Sequence, residues 1–308
     1  MAEAHDLASD PFVLGGNVFG WTAGEAESFA VLDGYVEAGG RHVDTADSYM
    51  ASVPGLSGGE SEEIVGRWMA QRRNRDEIHL ATKVGRLPGH DDLRPATIRA
   101  ALEASLRRLG TDHVDLYYAH VDDPDTPLAD TMETFDALVR EGKVRRLAAS
   151  GYSPARLREA LDTSAAGGWA RFEVFQEHYN LVHREPFESE VRPLLTERGL
   201  VALPFFSLAQ GFLTGKYRET GTAASVRSRA AERHLDDRGR RVLAVLDDLA
   251  AAHGVSVAAV SLAWLREQPS VAAPVASART SEQLRDLVAT RDLTLGADDL
   301  AALDAASG

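Results

Sequence analysis

The chain has 308 residues, 47 acidic against 33 basic side chains, a net charge of -14, 44% hydrophobic residues and no cysteine. Its length is enough to bury a large core without covalent staples, and the missing cysteine excludes disulfides, thiolate metal sites, iron–sulfur clusters and a thiol nucleophile. The acidic balance argues against nucleic-acid or anionic-membrane partners, both of which want a basic face.

Residues 1–10 include Glu3, Asp6 and Asp10 and no apolar stretch, so they do not read as a secretory signal. Nowhere does an apolar run reach the ~18 residues a spanning helix needs. The expectation is a soluble, cytoplasmic enzyme. Along the chain, short apolar runs at 41–44, 78–83, 114–120, 144–150, 172–176, 200–206, 271–276 and 292–295 read as strands. Helical periodicity fills 25–38, 60–72, 95–109, 128–141, 154–162, 188–198, 236–253, 257–267 and 281–287. In the first of these, Phe29, Leu32 and Val36 share a face, and Gly39-Gly40 supplies the stop. Strands alternating with helices imply a parallel sheet with right-handed crossovers. Eight such strands predict a closed α/β barrel, a (β/α)8 TIM barrel, as one domain over residues 1–308; a doubly wound open sheet is the rival. The rival's fingerprints are missing. Gly15-Gly16-Asn17-Val18-Phe19-Gly20 has the wrong spacing for a dinucleotide turn. The stretch from Gly211 to Tyr217 is one residue short of a phosphate loop and lacks its magnesium-binding hydroxyl.

In a parallel barrel, chemistry gathers where strands end. Three strand ends carry polar groups: Asp44 with Tyr49 five residues on, then Lys83, then His120. Only three of the 33 basic residues are lysines (Lys83, Lys143 and Lys216), so an ammonium inside the apolar run at Lys83 needs an explanation. Free tyrosine titrates near pH 10, and an ammonium beside it stabilises the phenolate. A neighbouring Asp keeps a buried Lys charged, and a neutral His can donate a hydrogen bond to a carbonyl oxygen. Together they form a general acid for an oxygen on which charge develops. Taken singly, Asp44 reads equally as a cap, Tyr49 as a loop aromatic and His120 as a satisfied histidine. At successive strand ends, the four read as a site.

These residues sit in Gly-Arg-His-Val-Asp-Thr-Ala-x-x-Tyr (40–49), Gly-Glu-Ser-Glu-Glu-Ile-Val-Gly (59–66), Ala-Thr-Lys-Val-Gly (81–85) and Asp-Leu-Tyr-Tyr-Ala-His (115–120). With the run from Leu208 to Tyr217 and Ser277-Ala278-Arg279-Thr280, the chain resembles the aldo-keto reductases over roughly residues 12 to 306. The resemblance implies a TIM barrel that binds NADPH/NADP+ in an extended pose and reduces an aldehyde or ketone, a sugar carbonyl among the options. Tyr49 would be the proton donor, Lys83 and Asp44 its tuning pair, and His120 the group that orients the carbonyl. For the cofactor it implies Asn17, Ser150, Gly151, Gln176, Phe205, Phe206, Leu208, Gly211, Lys216, Ser277, Ala278, Arg279 and Gln283. Ser150 and Gln176 match the carboxamide contacts. Gly151 stands where many members have Asn, and Phe205 where a tyrosine usually stacks. Arg279 suits a 2′-phosphate by charge and fork geometry. Leu287 replaces a frequent Asn near the adenine.

For the small-molecule carbonyl substrate, Phe19 and Trp21 are the wall candidates, with an open site and broad acceptance expected. The stretch 51–59 after Tyr49 is either a flap or a spacer. Two other functions compete. One is an NADPH-binding regulatory or interaction subunit with little turnover, as the potassium-channel beta subunits of this family are. The other is a metal-dependent barrel isomerase or lyase, for which the ammonium of Lys83 beside Asp44 and His120 makes a poor ligand set.

Overall fold

Eight short parallel strands take up the apolar runs: β1 (Val13–Gly15), β2 (His42–Asp44), β3 (His79–Val84), β4 (Val114–Ala119), β5 (Val144–Ser150), β6 (Phe172–Gln176), β7 (Val201–Ala202) and β8 (Val275–Ala276). This is a computed structural model that describes residues 10–219, 229 and 231–308. Most of the stretch read for a secretory signal, residues 1–9, lies outside the described residues. Each strand from β1 to β6 pairs with the next in sequence, and β1 pairs with β8. The remaining seam, β7 to β8, is joined by Ala202 N to Ser270 O (2.7 Å), Ala272 N to Ala202 O (2.9 Å) and Val275 N to Pro204 O (2.8 Å). The fold is the expected (β/α)8 barrel.

Helices follow the strands as a surrounding layer: α1 (Glu25–Glu37), α2 (Glu60–Arg72), α3 (Pro95–Leu109), α4 (Leu128–Arg140), α5 (Pro154–Gly167), α6 (Arg192–Arg198), α7 (Asp237–His253), α8 (Val257–Arg266), α9 (Ser281–Val288) and α10 (Ala297–Ser307). Their starts are chemically marked. Pro95 and Pro154 occupy first-turn positions, where a missing N–H costs nothing. The side chains of Ser153, Asp236, Ser256 and Thr280 accept backbone N–H groups at α5, α7, α8 and α9, each worth about 1 kcal/mol. Gly66 in α2 is dictated by packing, since a Cβ there would lie 2.3 Å from the Arg108 carbonyl oxygen of α3.

Alternation along the strands splits the core into two. Val13, Ala81, Leu116, Tyr118, Ala148, Val174, Leu203 and Ala273 form a cluster inside the barrel. Their sequence neighbours, including Leu14, Val43, Leu80, Tyr117 and Leu147, join the larger cluster with the helices. Register places Gly15 beside Asp44, Asp44 beside Ala81, Lys83 beside Tyr118 and Ser150 beside Gln176. The interior layer at the C-terminal end of the barrel is therefore polar.

Two strand expectations are corrected. Residues 292–295 are not a strand; Leu293 and Leu295 are buried in an irregular stretch between α9 and α10, where their alternation mimics a strand. The eighth strand is instead β1, so Asp44, Lys83 and His120 follow strands two, three and four rather than one, two and three. Among the described residues no single helix is long and apolar enough to cross a membrane.

Candidate active site

Asp44 closes β2, completely buried, and the chain then turns through Thr45-Ala46-Asp47-Ser48 to bring Tyr49 back over the strand end. Two bonds fix this turn: Thr45 Oγ1 donates to Ser61 Oγ (2.8 Å), which donates to the Gly16 carbonyl (2.8 Å). The loop after β1, the loop after β2 and the start of α2 are thereby tied together.

Lys83 on β3 has no solvent exposure. Its ammonium donates to Asp44 Oδ1, to the Thr45 carbonyl (2.9 Å) and to the Tyr49 hydroxyl (2.7 Å), which uses all three of its protons. The Tyr49 hydroxyl donates in turn to Asp44 Oδ1 (2.6 Å). Asp44 Oδ2 accepts the Gln176 side-chain amide from β6 (3.0 Å). His120, the first residue past β4, stands edge-on to Tyr49 with ring centres 6.0 Å apart. Its Nδ1 meets Ser48 Oγ at 3.2 Å. The four residues picked out from the sequence thus share one small volume at the C-terminal mouth of the barrel.

The charges there follow from burial. Desolvation pulls the Lys83 ammonium below its usual range, opposed by Asp44. His120 is held neutral, well below the usual histidine value, by burial first and then by Lys83 and Arg86. Tyr49 departs from expectation. Burial, reinforced by Asp44, pushes its hydroxyl well above the ordinary phenol range. The phenol keeps its proton across the neutral range, with an ammonium already bonded to the oxygen that would receive the negative charge.

The residues expected around a cofactor form an arc along the same mouth. Ser150 and Gln176 end adjacent strands, both buried. Gly151 has φ +66°, a conformation that Gly and Asn adopt most easily. Phe205 and Phe206 follow β7; the Phe205 ring lies 5.6 Å from the near-parallel imidazole of His178, and Phe206 is exposed. Leu208 leads into a tight turn from Ala209 to Thr214 that contains Gly211 (φ +102°), and Lys216 follows it. Ser277 Oγ donates to Asn17 Oδ1 (2.7 Å), which joins the loops after β8 and β1. The Arg279 amide donates to Gln283 Oε1 (3.0 Å), and Ala278 is buried. Leu287 is core, on the inward face of α9.

One substrate candidate falls away. Phe19 is 1% exposed and packs in the layer between barrel and helices, whereas Trp21 is 37% exposed. The stretch 51–59 is a series of turns ending at the start of α2, where the Glu60 carboxylate accepts the Ser57 amide (2.7 Å).

Several polar groups escaped the sequence reading. Ser48 bonds His120. Asp47, between Asp44 and Tyr49, is 1% exposed with both oxygens unbonded, and its carboxyl is pushed up to about 7 by burial and by Glu62, against Arg108. Glu62 faces inward from α2 and accepts from Thr82 Oγ1 (2.6 Å) and Arg108 Nε (2.6 Å). Glu62 had a signal in the sequence: it lies two residues before the apolar pair Ile64-Val65, on a helix whose outer face already has Glu60 and Glu63. Among the described residues, no three His, Asp or Glu side chains are arranged to hold a metal ion.

Known proteins resemble this chain over nearly its whole length. Residues 11–307 match the family described as the Aldo/keto reductase family. The uncharacterized oxidoreductase YrpG of Bacillus subtilis is 33% identical, over 94% of this chain and 90% of its own length. The norsolorinic acid reductase stcV of Emericella nidulans is 30% identical, over 94% of this chain and 76% of its own. Protein tas of Escherichia coli is 30% identical, over 95% and 92%.

Proposed function

The chain belongs to the aldo/keto reductase family, and we propose that it is an NADPH-dependent reductase that converts an aldehyde or ketone to an alcohol with Tyr49 as proton donor. The observation that carries the proposal is the closed set of contacts among Tyr49, Lys83 and Asp44, with neutral His120 beside it, at the open end of the barrel.

The residues fit a nicotinamide dinucleotide. Ser150 and the Gln176 side-chain oxygen, left over after the amide bonds Asp44, can hold the carboxamide. The half-exposed Phe205, backed by His178, offers a ring face, and Ser277, Arg279 and Gln283 sit at the N-terminus of α9, where backbone N–H groups favour an anion. When bound, the cofactor supplies the hydride. The chain supplies the proton and the field. Ser48 Oγ lies 3.2 Å from His120 Nδ1; as donor there, it would leave the His120 proton on Nε2 to donate to the carbonyl oxygen. The Tyr49 hydroxyl turns from Asp44 toward that oxygen and gives up its proton as charge develops there. The Lys83 ammonium, 2.7 Å from the phenolic oxygen, stabilises the phenolate left behind. Asp44 keeps the buried Lys83 protonated.

Trp21 and Phe206, the two large apolar side chains most open to solvent among the described residues, suit a flat or aromatic carbonyl compound. A relative of Pestalotiopsis microspora named as an aryl-alcohol dehydrogenase, 29% identical over 97% of this chain and 79% of its own, supports that class over a sugar. The test is carbonyl-dependent oxidation of NADPH with aryl aldehydes, aryl ketones and aldoses. Turnover on the aryl set is expected. Cofactor binding without turnover on any member would favour a regulatory subunit.

A further inference from the structure

We infer that Tyr118 is a positioning residue for the proton donor, holding the Lys83 ammonium in its charged form by presenting an aromatic face to it from inside the barrel. The inference rests on the reading of Lys83 and Tyr49 as the acid couple.

Lys83 and Tyr118 are cross-strand partners on β3 and β4. Parallel pairing sends both side chains into the barrel, where each is fully buried. The ammonium lies 5.1 Å from the centre of the Tyr118 ring and 4.8 Å from that of Tyr49. It therefore sits against the Tyr118 ring and at the hydroxyl end of Tyr49, with its three protons on Asp44, Thr45 and Tyr49. It has no solvent exposure. In that setting one neutralising carboxylate must serve Lys83, Tyr49 and Gln176 at once. An aromatic face attracts a cation most strongly when the cation is desolvated.

The Tyr118 hydroxyl is not what the site uses. It makes no bond to Lys83, whose three protons go to Asp44, Thr45 and Tyr49; its side-chain neighbour is Gln176. An aliphatic side chain would fill the interior as well as the neighbouring Leu116, Val174 and Leu203 do. The ring is what an aliphatic residue cannot replace.

The ionisable groups around Lys83 are Asp44 on β2, Asp47 and Tyr49 on the following loop, Glu62 on α2, Arg86 after β3, and Tyr118 and His120 at β4. Asp44, Asp47 and Glu62 favour the ammonium, and burial opposes it. Replacing the Tyr118 ring by an alkyl group removes one support for the charge and leaves the burial. The Lys83 titration should then fall by about one pH unit.

The scarcity of lysine makes this directly measurable. A protein labelled with 13C at the lysine ε carbon gives signals from Lys83, Lys143 and Lys216 alone, and Lys83→Met identifies the first. The full-length protein, Tyr118→Leu, Tyr118→Met and Tyr118→Phe are titrated by NMR. The two aliphatic variants should lower the Lys83 midpoint by about one unit, and Tyr118→Phe should restore the wild-type value. Two aliphatic replacements are used so that a folding failure in one leaves the other. Midpoints unchanged in the aliphatic variants, or lowered as far by Phe as by Leu, would overturn the inference. The readout is a proton on Lys83, not turnover. A shift as expected in a protein that reduces no carbonyl leaves this inference standing and removes the reductase reading; turnover without the shift does the reverse.

Discussion

Replacing Tyr49 by Phe deletes one oxygen from the centre of the network and leaves the ring in place. Two hydrogen bonds go with it, Tyr49 to Asp44 at 2.6 Å and Lys83 to Tyr49 at 2.7 Å. Both involve an ionised partner, a class worth about 1.5–3 kcal/mol each. The loss should be smaller than their sum, because Lys83 keeps Asp44 and the Thr45 carbonyl, and Asp44 keeps Lys83 and Gln176. A cost of about 1–3 kcal/mol leaves a domain of this size folded. The chemical cost is larger. A positioned general acid contributes roughly 10²–10⁴ in rate, or about 3–5 kcal/mol of barrier. Tyr49→Phe should therefore melt a few degrees lower, quench or enhance NADPH fluorescence with near wild-type affinity, and oxidise NADPH with an aryl aldehyde at least about 100-fold more slowly. The assay is absorbance at the NADPH band under saturating aldehyde, with binding and melting measured on the same preparation. A folded variant that binds NADPH and turns over within about tenfold of wild type would refute Tyr49 as proton donor.

Lys83→Met should also cut turnover, and it should cost more stability than Tyr49→Phe, about 3–5 kcal/mol in urea unfolding, because it strands the buried Asp44 carboxylate. Arg279→Ala should weaken NADPH about 10–100-fold and NADH little, since only the former carries a 2′-phosphate; equal weakening would remove that contact. Asp47 gives a pH signature. A carboxyl whose folded titration rises from 3.8 to about 7 favours folding below pH 4, and that contribution is lost as pH climbs through 7. Asp47→Asn should consequently gain stability over wild type between pH 4 and 7, by about 4 kcal/mol at most, and a difference flat with pH would show that Asp47 ionises freely.

The alternation of apolar runs with helical stretches was enough to read the barrel, and most helices begin within a residue of where caps and prolines mark them. The errors came where strand length drops to two or three residues. Val13–Gly15 is too short to show a period, and Gly15, Gly16 and Gly20 draw attention as a possible dinucleotide turn. Residues 292–295 show a strand-like period because Leu293 and Leu295 alternate into the helical layer. The four reactive side chains were legible because barrel geometry brings successive strand ends together whatever the loops do. Ser48 and Asp47 were not, since their importance lies in which neighbours they touch and not in their spacing. Phe19 shows the converse: an aromatic one residue from a loop glycine reads equally as pocket or core, and only packing decides.

The most direct test of the central claim uses NADPH deuterated at the nicotinamide C4 on the transferable face, an aryl aldehyde and the wild-type protein. The alcohol produced is analysed by mass spectrometry. The account predicts one deuterium on the carbinol carbon in the wild-type reaction, and at least about 100-fold less deuterated alcohol in the same time with Tyr49→Phe. A wild-type protein that binds the cofactor but forms no deuterated alcohol from any carbonyl compound would contradict it.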